Sequence, residues 1–110
     1  MILRAWRGWP APGRAEAYER LLNGTIAPAI LRREIDGLSE LAVLRRLDRG
    51  PAEYLTLMTF DDWPAVGRFA GPDPGGSVVP AEARELLDRY DARSRHYELV
   101  HRHLPGADRA

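Results

Sequence analysis

The chain has 110 residues and a mass of 12.4 kDa, with hydrophobic residues at 45% and charged residues at 29%. That composition fits one globular domain, too short for a (β/α)₈ barrel or a full dinucleotide-binding domain and without the run of about 18 apolar residues that a membrane span needs. Sixteen basic residues, all arginine, balance sixteen acidic ones, and zero net charge argues against a general binder of nucleic acid or membrane surfaces, because both need a positive field. Cysteine is absent, which excludes disulfides, thiolate catalysis and Cys-ligated metal centres. The N-terminal MILRAWRGW lacks the long apolar stretch of a signal peptide, so the expected location is cytoplasmic.

Residues 2–9, ILRAWRGW, are extended in character, and Pro10, Pro12 and Gly13 stop the strand. From Arg14 to Glu34 the apolar positions Tyr18, Leu21, Leu22, Ile26, Ile30 and Leu31 recur at helical spacing. Pro28 cannot donate to the carbonyl of Gly24, which predicts a kink or break near Asn23. Asp36-Gly37 is a turn, 38–47 reads as a strand with imperfect alternation, and 48–51 is a hairpin connection. Residues 53–60, EYLTLMTF, form the strongest strand. Asp61 or Asp62 caps a short helix with Pro64 in its first turn, ending near Gly71. An irregular loop covers 71–77, Pro80 opens a helix to Tyr90, 93–100 is the last strand, and 101–110 is a tail expected to fray or drape over a partner.

The order β-α-β-β-α-(α)-β predicts an α+β class: a ferredoxin-like split βαβ domain over residues 1–100, with a four-stranded antiparallel sheet and helices on one face. The third strand is apolar on both sides, with Leu55 and Leu57 on one and Tyr54, Met58 and Phe60 on the other. Helices cover only one face, so the other is expected to meet a second copy in a homodimer.

His96 is the sharpest candidate for chemistry, since a neutral imidazole is well suited to take a proton near pH 7. Tyr97 beside it must face the other way, and strand register decides which of the two enters a pocket. Trp6 and Trp9 point to opposite faces; one lines a pocket or packs on helices, the other lies at the dimer interface. An inward Arg4 could hold a phenolate or enolate oxygen. Trp63 could lid a flat aromatic ligand or serve as a staple at its helix start. His101 and His103 lack the third ligand a metal site needs, and no nucleotide loop or paired-carboxylate spacing occurs, so neither metal nor cofactor is expected.

Arg4-x-Trp6-Arg7-Gly8-Trp9, Phe60-Asp61-Asp62, Ala65-Val66 with Phe69-Ala70-Gly71, Val79-Pro80 with Glu82-Ala83-Arg84, and His96-Tyr97-Glu98 together resemble the antibiotic biosynthesis monooxygenase family. The resemblance covers residues 1 to about 100. It implies a dimeric α+β barrel, with each subunit's pocket between its own sheet and helices. It also implies cofactor-independent oxygenation of an aromatic polyketide, anthrone or quinol. His96 would be the catalytic base, and Arg4, Trp6, Tyr54, Phe60, Trp63, Phe69 and Tyr97 would surround the substrate. The family's haem-degrading branch carries an Asn on the first strand, a Trp late in the second helix and a His soon after. Here the first strand has no Asn, Phe69 stands near the Trp position, and no His precedes residue 96; haem degradation is not expected. Two other readings stand beside oxygenation: a non-oxidative cyclase or isomerase on the same scaffold, and a non-catalytic small-molecule-binding dimer. A pocket too small for a bicyclic ligand, or filled by Trp6 and Met58, favours the last.

Overall fold

The computed structural model describes residues 1–106. Its elements run β1 (Ile2–Pro10), α1 (Ala15–Leu21), a π-helical turn (Leu22–Ile26), α2 (Ala27–Arg32), β2 (Leu38–Arg45), β3 (Tyr54–Phe60), α3 (Trp63–Ala70), α4 (Ala81–Leu86), β4 (Leu87–Tyr90) and β5 (Arg95–Glu98). The sheet is antiparallel in the order β2-β3-β1-β4, with β5 also paired to β1. This is the expected α+β architecture, and no helix among the described residues is long and apolar enough to cross a membrane. Residues 107–110 of the expected tail lie outside the described residues.

The predicted break near Asn23 takes the form of a π turn. Helix continues through it, and Ala27 N–H bonds back to Leu22 O, five residues earlier. Widening the turn by one residue just before Pro28 relieves the clash between the proline ring and the preceding turn. Asp62 rather than Asp61 caps α3, its Oδ1 accepting from Ala65 N–H at 3.0 Å.

The expected helix 80–90 is shorter than its apolar pattern suggested. It ends at Leu86, and Leu87–Tyr90 pair with Gly8–Pro10 of β1. The fourth strand is therefore two short runs, β4 and β5, with residues 91–94 turned out between them. Asp91 holds that break. Its backbone N–H donates to Arg7 O at 2.9 Å, while its carboxylate takes three bonds of 3.0 Å from the Arg7 backbone N–H, Nε and Nη2. Burial alone would raise the Asp91 carboxyl pKa; the Arg7 bonds outweigh it and hold the group below the usual carboxylate range.

Register sorts the side chains. On the helix-covered face lie the rows Leu38–Phe60–Ile2–Glu98, Leu41–Met58–Arg4–His96 and Val43–Thr56–Trp6. A bulge between Leu38 and Glu40 shifts the parity of β2, which is the physical cause of its imperfect alternation. The open face carries Ala42–Leu57–Ala5–Arg95 and Leu44–Leu55–Arg7. The two-sided apolar reading of β3 thus holds residue by residue. Under the helices, Met58, Phe60, Ala65, Val66 and Phe69 form one buried cluster, and Tyr18, Leu22, Tyr54 and Ala83 another.

Gly37 closes the turn into β2 at φ 91°, and a Cβ there would sit 2.6 Å from Ala65 Cβ on α3. Gly37→Ala combines a left-handed backbone with a backbone-anchored clash, so it should cost about 1–3 kcal/mol in a urea titration. Wild-type stability in that variant would show that the turn relaxes freely.

Candidate functional site

Between the two buried clusters the helix face of the sheet does not close. A cavity of about 60 Å³ remains, floored by Arg4, Trp6, Thr56 and Met58. Tyr18, Leu22, Ile26 and Ile30 roof it from α1, the π turn and α2, and Val78, Val79 and Ala83 wall it from the loop before α4 and from α4 itself. The π turn therefore has a placement role: it sets the side chains on either side of Pro28 over the same space.

Arg4 is the one charged group in this wall and is 3% exposed. Its Nη1 donates to Ser94 Oγ at 2.6 Å and its Nη2 to Gly76 O at 2.9 Å. The guanidinium lies 5.2 Å from the Phe69 ring centroid, a cation–π distance. Its Nε is buried without a partner. The ion pairs among the described residues involve Arg7, Arg20, Arg45, Arg46 and Arg93, so both groups that hold Arg4 are neutral. Burial lowers its pKa, though an arginine stays charged through any such shift.

Trp6 has no partner on the fourth strand because it lies opposite the break. Its Nε1 donates there to Asp91 O at 2.9 Å and Ser77 Oγ at 3.0 Å. Trp6 thereby ties the cavity floor to the loop over it, which is also held by Arg93 to Asp73 at 2.8 Å. Trp9 is on the opposite face, as its spacing from Trp6 requires, with its ring between the Arg7 and Arg89 guanidinium groups.

His96 is the β5 partner of Arg4 and so faces the helices, while Tyr97 faces the open side and is 56% exposed. Trp63 covers His96 edge-on, ring centroids 5.0 Å apart. The imidazole Nε2 is buried without a partner, and burial, then the Arg4 charge, push the His96 pKa below its ordinary 6.5. The ring is neutral at pH 7 and able to accept a proton. It stands next to Arg4 rather than in the cavity lining.

Of the aromatic candidates, Trp6 and Phe69 line the cavity. Tyr54 is buried beneath α1, its hydroxyl donating to Glu19 Oε1 at 2.8 Å, and Phe60 is fully buried against Phe69. Neither belongs to the lining. Sequence reasoning missed Tyr18, Thr56 and Ser94 in the wall and Gly76 behind Arg4. Burial, then the neighbouring Tyr54, push the Tyr18 pKa up to about 12, so it is a hydrogen-bond donor and not a base. Its hydroxyl lies where a Cβ on Gly8 would be 3.1 Å away. Gly8, lying between Trp6 and Trp9 within β1, was the available sign that something lies close over that strand. Among the described residues no cluster of three or more His, Cys, Asp or Glu could hold a metal ion.

No family model and no curated protein matches this sequence. Solved structures do. A Deinococcus radiodurans protein provisionally named an antibiotic biosynthesis monooxygenase superposes with a TM-score of 0.64 at 18% identity, over 94% of this chain and 97% of that one. A Bacillus cereus protein with the same provisional name gives 0.63 at 12% identity, over 94% and 95%. The chain has the antibiotic biosynthesis monooxygenase fold. A Mycobacterium tuberculosis protein gives 0.61 at 21% identity over 92% and 96% of the two chains, so full-length agreement extends across the monooxygenase-like fold while side chains diverge.

Proposed function

We propose that this protein is a cofactor-independent, oxygenase-like enzyme acting on an enolisable aromatic small molecule of the anthrone, quinol or aromatic polyketide type. The observation that carries the reading is Arg4: a cation without an acidic partner in the wall of a mostly apolar cavity, beside a neutral histidine. Removing a ring-methylene proton from an anthrone leaves an enolate, whose oxygen Arg4 would stabilise while His96 takes the proton. Dioxygen then oxidises that carbon to a carbonyl, one oxygen atom entering the carbonyl and the other leaving as water, so that dioxygen accepts all four electrons of the oxidation. Trp63 would shield the imidazole from solvent. Metal-free protein incubated with an anthrone should consume one oxygen per quinone formed. No rate above buffer between pH 6 and 9 would sink the proposal, and turnover without oxygen would move it to a cyclase or isomerase.

The cavity volume favours a second reading. Pockets for drug-sized ligands span roughly 300–1,000 Å³, so a tricyclic substrate needs the 71–80 loop to move. A dimer that binds a smaller molecule without turnover fits the closed cavity better.

The working unit proposed is a homodimer joined through the open sheet face. Leu3, Ala5, Leu55 and Leu57 line a shallow concavity of about 340 Å³ there, rimmed by Arg7, Arg95 and Tyr97. A second copy supplies the same apolar centre and, with Asp91 beside the two arginines, the same rim of both charges, as a two-fold contact requires, and a stable interface of this kind buries upwards of about 2,000 Å². Light scattering should give twice 12.4 kDa at micromolar concentration, and Leu57→Arg should halve it. A wild-type monomer would contradict the assembly.

A further inference from the structure

We infer that the cavity selects a ligand that arrives already as a monoanion, a small aromatic carboxylate or an acid of similar strength, with Arg4 as its anchor. The inference rests on the small-molecule reading of this cavity and adds the charge of the molecule it takes.

The guanidinium has five N–H donors in a planar fork. Two are engaged, by Ser94 Oγ and Gly76 O. Both acceptors are neutral, so they fix the orientation of the group without compensating its charge. A buried cation left uncompensated is strongly unfavourable, and the rest of the lining offers no counter-charge: Arg4 is its only ionisable group apart from Tyr18, which remains a neutral phenol. The nearby carboxylates are committed elsewhere, Asp91 to Arg7 and Asp73 to Arg93. An incoming carboxylate would supply the missing charge and accept two parallel bonds from the fork, a match that arginine makes and lysine does not.

The same surroundings set the number of charges. His96 is the other ionisable group next to Arg4 on the sheet, and Trp63 packs over it from α3. With the imidazole neutral, the site carries one positive charge. It matches a monoanion, whereas a phosphate monoester would bring a second negative charge into a cavity that has nothing to meet it.

Benzoate, benzamide and phenyl phosphate have the same ring and differ in charge, and their binding to the full chain can be compared by calorimetry in chloride-free buffer at pH 7. Benzoate should bind at least tenfold tighter than benzamide and than phenyl phosphate. In Arg4→Gln the preference for benzoate should vanish, and Arg4→Lys should keep part of it. Equal affinity of benzoate and benzamide for the wild-type protein overturns the inference whether or not either variant folds. So does tighter binding of phenyl phosphate, retention of the benzoate preference in Arg4→Gln, or absence of benzoate binding at millimolar concentration. None of these readouts needs oxygen or turnover, so failure of the oxygenase assay and failure of this inference are separately visible.

Discussion

Phe60→Ala should cost about 3–5 kcal/mol, the range for deleting a fully buried phenylalanine, and lower the melting temperature by on the order of 15 °C. Phe60 is 0% exposed, its ring centroid stands 6.1 Å from that of Phe69, and Met58, Ala65 and Val66 complete its surroundings. It joins β3 to β1 through Ile2 and to β2 through Leu38. The void left by its ring would be bounded by three strands and α3, which cannot all collapse onto it. A domain of this size has about 5–15 kcal/mol in total, so the variant should sit near its folding threshold. Calorimetric scans decide the matter; a fall of only a few degrees would mean that the cluster repacks. Benzoate binding by the folded fraction should be unchanged, because Phe60 does not border the cavity.

His96→Asn should lower turnover by about 10²–10⁴-fold, the range associated with loss of a general base, while keeping a neutral polar side chain beside Arg4. The variant should also change how stability responds to acid. The folded-state pKa of His96 lies below its ordinary 6.5, so the unfolded chain takes up the proton first. The neutral ring's contribution is complete above about pH 6.5 and is lost as pH falls through the folded value. Wild-type melting temperature should therefore decline on acidification from pH 7.5 towards 5, and His96→Asn should flatten part of that decline. Unchanged turnover with a flattened curve would leave His96 a structural neighbour of Arg4, with the substrate's own acidity on Arg4 sufficient for reaction.

Much of this architecture is legible in local pattern. The two faces of β3 follow from strict alternation of residues 54–60, and a cap at Asp61 or Asp62 from their place before Trp63-Pro64, the structure choosing Asp62. The apolar repeat of 80–90 misled because Leu86 and Leu87 satisfy a helix as well as a strand. What decides is a partner about eighty residues away, where Leu87–Tyr90 meet Gly8–Pro10. The choice between His96 and Tyr97 was closed to sequence for the same reason: it depends on pairing with Arg4. The cavity was the least legible part. Ser94, Gly76 and Ser77 come to Arg4 and Trp6 only because the fourth strand breaks, and nothing periodic marks a break. Arg4 itself could have been placed earlier, since alternation puts it with Ile2 and Trp6 on one face of β1.

The broken fourth strand also governs how this chain behaves in a crowd. A sheet grows into a fibre by adding strands along an unbroken ladder of free N–H and C=O groups. Here one border offers two runs of four residues, Leu87–Tyr90 and Arg95–Glu98, separated by the Asp91 turn. The other border, β2, is bulged between Leu38 and Glu40 and ends in Arg45. A chain with zero net charge has little long-range repulsion to keep copies apart. Its protection against lateral stacking is geometric, and the same interruption that bends Ser94 towards Arg4 denies a neighbouring chain a template to copy.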